Sequence, residues 1–313
     1  MKTLNKPMIS VVIPLYNKRN HIIRTVDSVL AQTFTDYELI IVDDGSSDGS
    51  PNLVENQRGD HIKLIRQANE GVSSARNHGV KAAKGDLIAF IDADDTWEPH
   101  FLAEISAMHS SFPEADCFAT SYQFVVNEDQ FHNPKIRLSS RMNKPDLLED
   151  YFKVSSSGDL PFMMSSFCIK RTFFKQLKGF PEGVAMGEDQ ALFVKAALKG
   201  KIAYSPSVLS FYHLDSSNRV CQQIVPQEEC SFSQYVFEQA QNDELSQVER
   251  DNMTNYCASH LLHIASLNIR LGRLATAKRL LDDQRCQRQP IKYLWWAANY
   301  WFSKLVAGRE KLA

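Results

Sequence analysis

Roughly the first 110 residues alternate between two hydrophobic periods. Residues 8–13, Met-Ile-Ser-Val-Val-Ile, are a continuous apolar and largely β-branched run, the mark of a strand buried on both faces. Pro14-Leu15-Tyr16-Asn17 breaks it. His21 to Gln32 then has helical spacing, with Ile22, Val26, Val29 and Leu30 on one face. Tyr37–Val42 predicts a second strand, broken by Asp43-Asp44-Gly45-Ser46-Ser47-Asp48-Gly49. A short helix around Pro51–Gln57 follows, with Pro51 suited to its first turn. Ile62–Ile65 predicts a third strand, Val72–Ala83 a helix stopped by Gly85, and Leu87–Ile91 a fourth strand ending in Asp92-Ala93-Asp94-Asp95. A helix is expected from Glu98 to Ser111.

Strands alternating with helices mean βαβ units and a parallel sheet, so the predicted class is α/β. In such sheets ligands bind at the carboxyl ends of the strands. The polar motifs fall at three of those ends: Pro14–Asn17, Asp43–Ser46 and Asp92–Asp95. Residues 112–225 are less regular and read as α+β, with Gly187-Glu188-Asp189 opening a helix through Leu198. From about Gln227 the pattern is all-helical, clearest over His260–Leu271, Leu274–Leu281 and Ile291–Leu305. Two regions are therefore expected, 1–225 and 226–313, which agrees with the prior of about two domains for 313 residues. No internal repeat is visible.

Composition narrows the classes. With 43% hydrophobic and 23% charged residues, collagen, coiled coil and wholesale disorder are excluded. A formal net charge of −2 supplies no global basic field, so nucleic acid is not an expected partner. The total hides a split. From Ser246 to Ala313 there are 11 Lys and Arg against 5 Asp and Glu, a net +6 that leaves −8 for the rest. The six cysteines, Cys117, Cys168, Cys221, Cys230, Cys257 and Cys286, form no C-x-x-C pair, and their scatter reads as reduced cytosolic thiols. Met1 to Pro7 lacks an apolar leader core. No run of 18 uncharged apolar residues occurs, so no membrane-spanning helix is expected.

Neither G-x-G-x-x-G nor G-x-x-x-x-G-K-[ST] is present, which weakens dinucleotide and P-loop readings. Asp92 and Asp94 offer another way to hold phosphates. Residues two apart on an extended chain face the same way. Two carboxylates plus substrate phosphate oxygens suit Mg²⁺ or Mn²⁺. The plain alternative is a set of carboxylates capping the next helix. Asp43-Asp44-Gly45 reads equally as a turn, and Arg76 as a surface cation of a helix or as a cation facing a nucleotide. Glu188-Asp189 reads as an acidic pair favoured by a helix N-terminus or as a base for an acceptor hydroxyl.

The ordered set Ser10–Asn17, Ser28–Thr33, Glu38–Asp48, Asn69–Asn77 with Gly85, Phe90–Trp97 and Gly187–Asp189 resembles the family 2 inverting glycosyltransferases. The match covers about residues 8 to 200. It implies the GT-A fold, a Rossmann-like doubly wound mixed α/β sheet, here with an α-helical C-terminal extension. It implies Pro14, Tyr16 and Asn17 in the first nucleotide-pocket loop, Asp44 on the base, and Arg76 near the base. Asp92 and Asp94 would hold Mn²⁺ or Mg²⁺ on the diphosphate, and Asp95 and Trp97 would lie near sugar and acceptor. Asp189, with Glu188 beside it, would be the catalytic base. His213 would be a further metal ligand, with a core or surface histidine as the alternative. The implied activity is metal-dependent transfer of a hexose from a nucleotide-diphosphate sugar, a UDP-sugar, to a glycan or lipid-linked acceptor in surface polysaccharide synthesis, lipopolysaccharide or capsule.

Two other readings compete. Phe90–Thr96 also fits the D-x-D-x-[TV] pattern of haloacid-dehalogenase-type phosphatases, although their motif sits on the first strand. A nucleotide-sugar-binding module without catalysis is the other. In the tail, Lys292–Val306 holds three of the four Trp residues among lysines. That composition suits peripheral docking on the inner face of a membrane, and equally a helix packed on its own catalytic domain or in a homodimer.

Overall fold

A computed structural model describes residues 6–56, 62–127, 129–140, 142–216 and 224–310, the last four as backbone only. Residues 1–5, Cys221 and the last three residues lie outside the described residues. The chain divides into two compact units.

The first unit comprises 1–149, 160–184 and 188–218. It opens with strand β1 (Ile9–Leu15), helix α1 (Ile22–Leu30), β2 (Tyr37–Asp44), α2 (Ser50–Glu55), β3 (Ile62–Gln67), α3 (Val72–Ala82) and β4 (Leu87–Phe90). β1 pairs in parallel with both β2 and β4, and β2 with β3. β1 is wholly buried, as its unbroken apolar run requires. Pro14 does not break the strand as expected. β4 pairs β1 only from Ile9 to Val12, so beyond Val12 one edge of β1 has no ladder, a place where a missing N–H is tolerated. Likewise Asp43 and Asp44 end strand β2 rather than opening a turn.

The irregular middle resolves into β5 (Thr96–Trp97), α4 (Phe101–Ser111), β6 (Cys117–Asn127), β7 (Gln130–His132) and β8 (Asp146–Leu147). After a helix of the second unit, α5 (Tyr151–Ser157), come β9 (Phe167–Lys170), α6 (Arg171–Gln176), α7 (Glu188–Lys199) and β10 (Ile202–His213). The sheet order is β3-β2-β1-β4-β9-β6-β10-β5, with β7 on β6 and β8 on β10. β9 runs antiparallel to β4 and β6, joining two parallel blocks into one mixed sheet. The core cluster runs from β1 and β2 through α1 and α4 to Phe118 and Ala203.

The second unit is helical: α5, Ala185–Gly187 and residues 219–313. It holds α8 (Ser231–Gln239), α9 (Gln247–Arg270), α10 (Leu274–Leu281) and α11 (Pro290–Glu310). α9 starts well before the apolar stretch at His260. Ser246 accepts from the Glu249 N–H, and the Glu249 carboxylate accepts from the Ser246 N–H, a capping box. Leu261, Leu262 and Ala265 of α9 pack with Ala277, Leu280 and Tyr300 in a core of its own. The units do not follow one cut in the sequence, because α5 belongs with the C-terminal helices. Among the described residues no helix is long and apolar enough to cross a membrane.

Candidate functional site

The strand order places three motif-bearing ends side by side. β1 lies between β2 and β4, and the chain leaves β1 toward β2 before returning to β4 on the other side. That reversal is a topological switch point, where the loops diverge and leave a crevice. Asn17 has φ +51°, and its N–H donates to Ser46 Oγ at 3.0 Å while its Oδ1 accepts from the Ser47 N–H at 2.8 Å. Asp43 Oδ1 accepts from the Ser46 N–H at 3.0 Å. Gly45 is required: at φ +74° it runs so close to the next loop that a Cβ would sit 2.9 Å from Asn69 N. Pro14 is buried in β1, and Tyr16 is 46% exposed beside it. Asp44 is buried and accepts from Gln67 Nε2, Glu70 N–H and Gly71 N–H, each at 2.9 Å. It therefore shapes the turn into α3.

Arg76 is not on the surface. Its side chain is 4% exposed and bridges two elements. Nη2 donates to Asp92 Oδ1 at 2.6 Å and Nη1 to Glu188 Oε1 at 3.0 Å, joining residues 112 apart in sequence. The guanidinium lies 5.3 Å from the Phe180 ring centroid, and Nε has no partner. Burial opposes its charge, but the carboxylates of Asp92 and Glu188 more than offset this and hold it above its ordinary value. Asp189, next in α7, keeps some accessible surface. It still sits deep enough that desolvation, with the Glu188 charge beside it, pushes its carboxyl up to about 7 against the pull of Arg76.

The second aspartate of the D-x-D has its own cation. Lys18 Nζ donates to Asp94 Oδ2 at 2.7 Å and to Ser216 Oγ at 2.8 Å, and Ser216 Oγ donates to Asp94 Oδ2. Arg24 Nη2 reaches the Asp94 carbonyl at 3.2 Å.

Three further expected site residues are largely engaged in packing and hydrogen bonds next to the D-x-D. Asp95 is 1% exposed. Its Oδ2 accepts from Ser165 Oγ and its Oδ1 from the His213 N–H at 3.3 Å. Desolvation, with Asp94 and Asp92 nearby, raises its carboxyl well above the usual range. Trp97 is a core side chain, 4% exposed, stacked on Phe101 at 4.2 Å between centroids, with Nε1 donating to Ser165 O. It offers no face to a sugar. His213 Nε2 pairs with Thr96 Oγ1 at 2.9 Å, and burial takes its imidazole down to about 4. Among the described residues no group of three or more His, Cys, Asp or Glu could hold a metal. Asp92 and Asp94 each bond a cationic side chain, Arg76 and Lys18 respectively.

Ser165 and Lys18 were missed. Ser165 Oγ accepts from the Asp92 N–H at 3.0 Å and donates to Asp95, so it holds the D-x-D in place from a region without pattern. Lys18 had one signal, its position directly after Asn17.

The mixed sheet with acidic strand ends at its switch point is the GT-A fold. The family model described as Glycosyl transferase family 2 matches residues 10–177, and the chain belongs to that family. It is 49% identical over 100 residues to an uncharacterized glycosyltransferase of Nostoc, covering 31% of each chain. It is 32% identical over 210 residues to one from Rickettsia conorii, covering 64% of this chain and 32% of the relative. It is 30% identical over 216 residues to a succinoglycan biosynthesis protein of Rhizobium meliloti, covering 66% and 61%. The chain thus spans about a third of the length of the first two relatives. The crystal structure of S. aureus TarS 1–349 in complex with UDP-GlcNAc matches with a TM-score of 0.69 at 21% identity, covering 90% of this chain and 81% of that one. Family membership leaves the phosphatase reading without support.

Proposed function

We propose that the protein transfers a hexose, with inversion, from a UDP-sugar to a hydroxyl of a glycan or lipid-linked acceptor in surface polysaccharide synthesis. The observation that carries this is the constellation around Arg76, which sets Asp189 beside the D-x-D carboxylates with its carboxyl held near neutrality. The relative named for succinoglycan biosynthesis and the TarS complex with UDP-GlcNAc support the acceptor class and the donor.

Asp92 and Asp94 suit a divalent cation. They are hard oxygen donors, and each already bonds a cationic side chain. The chemistry a Mg²⁺ or Mn²⁺ would supply there is neutralisation of charge on the departing diphosphate. Asp189 accepts the proton of the acceptor hydroxyl while that oxygen bonds the anomeric carbon and the bond to the diphosphate breaks. A base near pH 7 combines an available ionised fraction with useful basicity. Arg76 pairs with both Glu188 and Asp92 and so fixes the start of α7 against the strand end. Asp44, Tyr16 and Asn17 form the wall assigned to the base.

We place the protein on the cytoplasmic side of a membrane, with α11 as its contact. Six residues of α11 lie on one stripe and are exposed: Ile291, Leu294, Trp295, Trp301, Phe302 and Leu305. Such a patch favours a partner, and the +6 charge of the C-terminal part suits an anionic lipid surface.

The test is a thermal-shift screen of nucleotide sugars with and without Mn²⁺, followed by NMR of the product anomer. Stabilisation by a UDP-sugar and an inverted product are expected. Retention, or no nucleotide sugar bound, refutes the reading, and binding without turnover selects the non-catalytic module.

A further inference from the structure

The two aspartates of the D-x-D are paired in different ways. The partner of Asp92 is immobile: Arg76 sits mid-helix, almost fully buried, and is tied by its other nitrogen to Glu188. The partner of Asp94 is Lys18, on the loop between β1 and α1. Its carbonyl accepts from the His21 and Ile22 N–H groups at 2.9 Å each, so the backbone is anchored and only the four-carbon side chain can swing. At the tip, three groups close a ring in which the Lys18 ammonium donates to both the Ser216 hydroxyl and Asp94, and the hydroxyl donates to Asp94 in turn. The Lys18 and Asp94 side chains keep 12% and 16% of their surface, enough to be reached from solvent.

We propose that Lys18 is an exchangeable counter-cation: it occupies Asp94 until a divalent ion replaces it, and then turns to the diphosphate of the nucleotide. This rests on the reading that the D-x-D faces a donor diphosphate. A divalent ion arriving alone must displace an ammonium from the carboxylate that neutralises it. A nucleotide arriving alone must draw Lys18 away from a half-buried carboxylate, leaving that charge with the Ser216 hydroxyl but no cation. Arriving together, each removes the obstacle of the other. The consequence is a coupling between cation and nucleotide that is equal in both directions.

The experiment measures Mn²⁺ affinity by electron paramagnetic resonance with and without UDP, and UDP affinity by calorimetry with and without Mn²⁺. In the wild type each ligand is expected to tighten the other by about tenfold or more. Lys18→Met should bind Mn²⁺ alone about tenfold more tightly, bind UDP alone more weakly, and lose most of the coupling. Ser216→Ala changes no charge and should tighten Mn²⁺ alone by a smaller factor. Arg19→Met, exposed on the same loop and bonded to Asp48, controls for loss of a positive charge. An Mn²⁺ affinity in Lys18→Met that moves no more than in Arg19→Met, or a coupling that survives Lys18→Met, overturns the proposal alone. Wild-type protein that binds no UDP overturns the donor-site reading and the proposal with it.

Discussion

Asp189→Asn separates the cost of the site from its use. The Asp189 carboxyl is raised in the folded protein from 3.8 to about 7, chiefly by burial and by the Glu188 charge. Folding therefore takes up a proton between about pH 4 and pH 7, and wild-type stability falls as pH rises through that window. At 1.36 kcal/mol per tenfold change, the upper limit is about 4 kcal/mol at pH 8. The surface that Asp189 keeps admits water and reduces this to about 1–2 kcal/mol. The amide has the same shape and no charge, so the variant should melt about 2–6 °C above wild type at pH 8. Below about pH 4, where both proteins carry a neutral group, the gain should vanish. Turnover should drop by about 10²–10⁴-fold, the usual worth of a general base, while a UDP-sugar still binds. Differential scanning calorimetry across pH 4–8, paired with initial rates, reads both quantities. An equal melting difference at pH 4 and pH 8 refutes the electrostatic account, and near wild-type turnover refutes the assignment of the base.

Arg76→Met leaves Asp92 and Glu188 without their buried partner, and urea denaturation should show a loss of about 3–5 kcal/mol. Arg76 also lowers the Asp189 carboxyl, so the acid limb of the rate profile in any folded fraction should move to higher pH. Ser165→Ala orphans the Asp92 N–H and Asp95 Oδ2, at about 1–3 kcal/mol. Its donor KM should rise more than kcat falls, with recovery in Ser165→Thr. The double variant Trp295→Ala/Trp301→Ala alters side chains 65% and 55% exposed, so its melting temperature should hold while co-sedimentation with anionic vesicles is lost. If wild type does not sediment with vesicles but runs as a dimer that the variant breaks, α11 meets a second copy instead.

Much of the sheet was legible because its signals are local. Continuous β-branched runs announced β1, β2 and β4, helical spacing announced α1 and α3, and Gly85 marked a stop. The acidic pairs were visible as strand ends because polar residues closed each apolar run. The family pattern added the GT-A fold and named Arg76, Asp92 and Asp189 as members of one site. Pattern did not reach Trp97 or Asp95. Asp95 directly follows Asp94 and Trp97 lies three residues on, yet both side chains are buried, Asp95 against Ser165 and Trp97 against Phe101. Nor did it reach Ser165, a serine in an irregular stretch whose importance lies in what it touches.

The chain by itself determined where polar groups would emerge from an apolar frame, because periodicity is a property of neighbours. The tertiary structure decided which of them meet. The order β3-β2-β1-β4 brings three ends together, β9 reverses to join the second parallel block, and α7 returns to put Glu188 on Arg76 across 112 residues. The physical reason is range. A side chain two or four residues away is fixed by local backbone geometry. A partner a hundred residues away is fixed by how the whole sheet packs. Only that packing desolvates Asp189, pairs Lys18 with Asp94, and leaves the Trp295 and Trp301 face of α11 uncovered.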